Sequence, residues 1–177
     1  MTTMNRDELR SIQSPLKQGY RDAPEAARIT LKAEGELGEG VACRVETGHA
    51  LVEAGLHPGT GGSGLQLCSG DMLLQALVAC AGVTLSAVAT SMGIVLRGGR
   101  LRAEGDLDFR GTLGVAKDAN VGFKEIRLEI AIDAEASPEE RKRLLELTER
   151  YCVVLQTLRT SPRADVSLRD AGQPAAR

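Results

Sequence analysis

Between Asp71 and Arg97 the chain carries no charged residue. An uncharged run of that length has two outcomes. It spans a bilayer, or it forms the centre of a soluble core, because a helix apolar all round has no face to give to water. Gln75, Gly82, Gly93 and several Ser and Thr interrupt the run, and strand-like alternation flanks it on both sides. The core helix is therefore the expected outcome, with no membrane partner. Ser69 is the expected N-cap, and Asp71 suits the positive end of the helix dipole.

The rest of the chain supplies what such a helix packs against. Ile29, Leu31 and Ala33 alternate with Thr30, Lys32 and Glu34, and Val41, Cys43 and Val45 with Arg44 and Glu46, the period-two pattern of half-buried strands. The glycines at 35, 38 and 40 predict a turn between them, and a third short run covers Ala50 to Ala54. Leu101, Ala103, Leu107 and Phe109 alternate with charged residues, as do Ile126, Leu128, Ile130 and Ile132. One wet face on each strand implies antiparallel sheet. Ser137-Pro138-Glu139-Glu140 predicts a capping box opening an amphipathic helix through Leu144, Thr148, Cys152, Leu155 and Leu158. Pro162 ends it, and Ala164, Val166 and Leu168 predict a last strand. The expected class is α+β in one domain, with 1–27 a helical arm, 28–170 the domain and 171–177 a tail.

Composition narrows the function. The chain has 177 residues and a formal charge of −2, with two Phe, two Tyr and no Trp. Near-neutral charge and scarce aromatics argue against nucleic-acid partners. The acidic, h-region-free start predicts no secretory signal, which makes the cytosol the expected compartment and keeps thiols reduced. Cys43, Cys68, Cys80 and Cys152 make no CxxC pair, and neither His49 nor His57 lies at zinc spacing from a cysteine, so no metal and no cofactor is expected. Gly59-Thr60-Gly61-Gly62-Ser63-Gly64 fits GxGxxG literally, but no strand feeds it directly and no acidic ribose partner follows. A flexible loop is expected there, with His57 a solvated turn residue and a reserve candidate. By pattern alone Cys43 is a core residue, Cys68 is open, and Cys80 and Cys152 are buried thiols.

A resemblance changes the weight of the last two. Cys68-Ser69-Gly70-Asp71-Met72-Leu73-Leu74-Gln75-Ala76-Leu77-Val78-Ala79-Cys80 resembles the approach to the first redox cysteine of the OsmC/Ohr family. Asp108–Gly114 with Gly122–Ile126 is similar to its central hairpin, and Glu149–Val154 with Thr157-Leu158 to the surroundings of its second cysteine. The likeness covers about residues 28 to 168 in the right order. It implies an intertwined homodimer, with curved antiparallel sheets around long buried central helices, and a thiol peroxidase acting on organic hydroperoxides in oxidative-stress defence. Cys80 would attack the O–O bond, Cys152 would resolve the sulfenic acid as a disulfide, and an external dithiol would reduce it. Asp71 stands at the family's acidic position. The family's turn arginine has no counterpart in Glu34–Gly40, leaving Arg28, Arg44 and Arg110 as the cations to consider. The same scaffold with inert thiols would instead hold a small hydrophobic ligand.

Overall fold

Strands β1 (Arg28–Leu37), β2 (Cys43–Val45), β3 (Leu96–Asp108) and β4 (Glu125–Ala134) form one antiparallel sheet in the order β2-β1-β3-β4. The computed structural model describes residues 6–37, 43–45, 54–65 and 67–168, with side chains at 11–29, 54–65 and 67–168. Alternation decides the faces: Leu101 and Ala103 are fully buried, whereas Arg102, Glu104 and Asp106 stay on the wet side. Arg127 answers those acids from β4, 2.6 Å from Asp106 and 3.6 Å from Glu104.

The uncharged run is the helix α2 (Ser69–Met92), lying on β1 and β3. Leu74, Leu77, Val78, Ala81 and Leu85 are buried, at about 1.5–3 kcal/mol of hydrophobic gain for each large side chain. Its length and hydropathy suit a membrane span, but its buried stripe is the middle of a packed core. Gly93 ends it in the left-handed region at φ 71°, its N–H bonding back to Ala89 and Thr90. The N-cap is Cys68 rather than Ser69, and its side chain makes no capping bond. The dipole and the tertiary packing start this helix without one.

Two further helices cover the same side of the sheet. Helix α4 (Pro138–Tyr151) opens on the expected capping box, with Glu140 N–H donating to Ser137 Oγ at 3.2 Å and Ser137 N–H to Glu140 Oε2 at 2.8 Å. The chain then breaks and resumes as α5 (Val153–Arg159), where sequence periodicity predicts one helix. An N-terminal helix α1 (Arg6–Asp22) and the single turn α3 (Phe109–Thr112) close one end through Tyr20, Ala27, Phe109 and Leu113.

Three expectations need correction. Gly35 is a strand residue paired with Val45, not a turn residue. The segment after Gly55 is not formless: Pro58–Thr60 is a turn of 3-10 helix. Residues 161–168 form no strand, and Val166 and Leu168 are 98% and 99% exposed. Alternation alone does not make a strand, and residues 161–168 pair with no strand of the sheet. The Cys43 side chain, the expected turn residues Gly38 and Gly40, Val41 of the expected second strand and the run from Ala50 through Glu53 lie outside the described residues.

Candidate active site

Cys80 sits midway along α2, half-buried, on the margin between its covered and uncovered faces. Cys152 is fully buried in the cluster formed by Leu74, Leu77, Val78 and Ala81. Leu144, Thr148 and Cys152 succeed one another at intervals of four residues, and all three are buried.

The break between α4 and α5 is what makes the site. Cys152 is extended (φ −70°, ψ 104°), serving as the last cap of one helix and the first of the next. No proline causes this. The Glu149 carbonyl accepts from Gln156 Nε2 at 2.7 Å, and Arg159 binds the Glu149 carboxylate at 2.9 Å, which ties the two helices across the joint. A new helix start leaves its first amides without intrahelical acceptors. Those of Val153 and Val154 point at Cys80.

The two thiols are therefore unlike. Burial pushes the Cys80 thiol up, but the Val154 amide, the Cys152 thiol, the Thr84 hydroxyl and the Val153 amide outweigh it and bring Cys80 below its ordinary value. Burial drives Cys152 the other way, to about 11. The Cys152 thiol donates to the Cys80 sulfur, and Cys80 is the more acidic of the pair. Backbone amides thus do the work for which a neighbouring cation is the usual device. Thr84, one turn beyond Cys80, and the Val153 and Val154 amides were not legible as site groups. A pair of β-branched residues just after Cys152 was the only available hint of a helix break.

Of the candidate arginines, Arg110 is engaged by an acid of its own strand end. Arg110 grips the fully buried Asp108, with Nη2 at 2.6 Å from Oδ2 and Nε at 3.0 Å from Oδ1, while Lys124 stands 3.7 Å away. Arg28 opens β1 as an exposed residue, and the Arg44 side chain lies outside the described residues. Asp71 is in the first turn of α2, nine residues before Cys80, which is about 13 Å along a helix axis. The fold brings Cys80 and Cys152 together and leaves Asp71 apart from them within one chain. Cys68 is half-buried at the start of the helix.

A cavity of about 590 Å³ lies between α2, β4, α4 and α5, walled by Leu77, Phe123, Ile126, Leu128 and Leu155. Cys152 lines it and Cys80 does not. Among the described residues no group of three His, Cys, Asp or Glu is arranged to hold a metal ion.

A long apolar helix held against an antiparallel sheet, with two thiols meeting at a helix break, defines an α+β protein of the OsmC-like fold. The chain belongs to the OsmC-like protein family, whose model matches residues 61–167, more than half of its length. The crystal structure of an OsmC-like hydroperoxide resistance protein from Jannaschia sp. CCS1 is similar in fold, with a TM-score of 0.60. The two are 14% identical, the match covering 83% of this chain and 97% of that one. A search of the curated proteins finds no match.

Proposed function

We propose that the chain is a cysteine-based peroxidase that reduces organic hydroperoxides. The observation that carries this reading is the Cys80–Cys152 contact with opposite pKa shifts. The Cys80 thiolate attacks the outer oxygen of ROOH; the S–O bond forms, the O–O bond breaks, and RO⁻ leaves to take a proton as ROH. Cys152 then attacks the Cys80 sulfur, an S–S bond replaces the S–O bond, and hydroxide leaves as water with the Cys152 proton. An external dithiol returns both cysteines to thiols by exchange. Half-exposure suits Cys80 to meet the peroxide, and burial suits Cys152 to wait.

The same reading includes a cytosolic homodimer. Met72, Leu73, Ala76, Val83 and Ala87 leave one face of α2 uncovered and uncharged in a single chain, and a second copy would cover it. In that assembly Asp71 serves the Cys80 site of the partner, since its own Cys80 is out of reach. The apolar cavity beside Cys152 favours a second reading, a small hydrophobic ligand held without chemistry.

One experiment separates them: one equivalent of an organic hydroperoxide is added to reduced protein and the disulfides are mapped by mass spectrometry. Rapid formation of a single Cys80–Cys152 bridge is expected. Cys80→Ser should abolish turnover, and Cys152→Ser should leave a trapped sulfenic acid. Normal turnover by Cys80→Ser sinks the peroxidase reading.

A further inference from the structure

Cys80 and Cys152 belong to one packed cluster, yet only one of them reaches the cavity. Cys152 lines it, whereas half-buried Cys80 does not. The walls come from both sides of the thiol pair: Leu77 and Ala81 on α2, Leu155 and Leu158 on α5. Phe123 adds an aromatic wall by lying against β3 at Gly105, where a Cβ would strike its ring. The next residue is tied down, with Lys124 N–H donating to the Asp106 carbonyl at 2.9 Å.

The lining fixes the chemistry of an occupant. A volume of about 590 Å³ is that of a small-molecule pocket. Each charged residue around it already has a partner: Arg159 and Glu149 pair at 2.9 Å, Lys124 lies 3.7 Å from Asp108, and Glu125 lies 3.4 Å from Arg127. Thr148, buried in the wall, spends its hydroxyl proton on the Leu144 carbonyl at 2.8 Å. An ionised head group would lose its water here without gaining a counter-charge. The fit is for a molecule without charge.

We propose that the cavity is a ligand site distinct from the peroxide site, that it takes an uncharged apolar molecule such as a long-chain alcohol, and that its occupation slows closure of the Cys80–Cys152 bridge without slowing attack on peroxide. Closure brings the Cys152 sulfur from contact to bonding distance, which draws the α4–α5 joint toward α2. A molecule lodged between Leu77 and Leu155 opposes that movement. The Cys80 sulfur lies outside the cavity and still meets peroxide. By linkage, a ligand that opposes the bridge binds bridged protein more weakly than reduced protein, by the same factor. Ligand and thiol chemistry thus coexist in one chain. The kinetic consequence rests on the peroxidase reading, and the linkage only on the two thiols being bridged.

The test titrates full-length reduced protein with N-phenyl-1-naphthylamine, an uncharged fluorophore. Saturable binding is expected, displaced by 1-dodecanol and not by dodecanoate. Protein bridged at Cys80–Cys152 by diamide, which takes up the two thiol hydrogens, should bind the fluorophore about tenfold more weakly. Leu128→Phe narrows the cavity from β4, and Leu145→Trp crowds its half-exposed rim. Either variant, with wild-type circular dichroism, should weaken the fluorophore by about tenfold. With 1-dodecanol saturating, one equivalent of an organic hydroperoxide should form the Cys80 sulfenic acid at the unliganded rate and the bridge about tenfold more slowly. Absence of saturable binding, displacement by dodecanoate as readily as by the alcohol, equal affinity of reduced and bridged protein, or equal slowing of both steps overturns the inference. Wild-type protein that forms no sulfenic acid refutes the peroxidase reading instead, and the affinities of the two redox forms still decide the ligand site.

Discussion

The buried Cys152 thiol donates to the sulfur of half-buried Cys80, and the two are driven apart in acidity, Cys80 downward and Cys152 up to about 11. The asymmetry follows from the helix break between them. Cys152 is the residue at which the backbone turns, so its own side chain is enclosed while the freshly exposed amides of Val153 and Val154 face Cys80. One local event buries one thiol and lowers the pKa of the other.

Alkylation should report that difference directly. Iodoacetamide labelling of reduced protein, resolved by peptide mass spectrometry across pH, should show Cys80 reacting first with a midpoint below that of a free thiol. Cys152 should stay unlabelled until pH approaches about 11. Labelling of Cys152 ahead of Cys80 would reverse the assignment of nucleophile and resolving thiol.

Gln156 holds the break open by satisfying the Glu149 carbonyl. Gln156→Ala should cost about 0.5–1.5 kcal/mol in urea unfolding, the net worth of a side-chain hydrogen bond. Bridge formation after a pulse of hydroperoxide should slow in the same variant, because the α5 amides lose their fixed aim. Unchanged bridging rates would separate the joint from the chemistry.

Asp108 carries an acid-sensitive share of the stability. Arg110 hydrogen bonds hold its carboxyl down at about 2 despite burial. A depressed folded-state pKa stabilises the protein above the unfolded carboxyl value of about 3.9, and that contribution disappears as pH falls toward about 2. Urea midpoints measured between neutral pH and that limit should therefore fall with acidification. Asp108→Asn should lower the neutral midpoint, leaving Arg110 and Lys124 without their anion, and flatten the acid limb.

Tyr20→Phe removes the hydrogen bond from α1 to the Gly59 carbonyl without removing the ring from Phe109. Amide hydrogen exchange at Thr60 and Gly62, whose N–H groups both bond to His57, should quicken by roughly tenfold, which corresponds to about 1.4 kcal/mol of local opening. Protection equal to wild type would show that α1 rests on the turn without restraining it.

Much of the fold was legible in residues read along the chain. The absence of charge from Met72 through Leu96, with strand-like flanks, pointed to a core helix, period-two alternation around Leu101 and Ile130 to half-wet strands, and Ser137 with Glu140 located a helix start to the residue. Each of these depends on local periodicity or capping, forces that act within a few residues. The strand expected at Ala164–Leu168 failed for the complementary reason: a strand exists only where another edge accepts it, and alternation cannot supply that edge.

At the site, residue order was enough to place two cysteines in family-like surroundings and an acidic residue at the head of the core helix. Three-dimensional packing was needed to bring Cys80 and Cys152 into contact, to part the helix at Cys152, and to aim backbone amides at the thiolate. Packing also fixes His57 against Phe109 rather than leaving it loose in a glycine-rich loop. The reason is physical: a thiol's acidity and a ring's orientation are set by what the fold packs against them, and those neighbours come from distant parts of the chain.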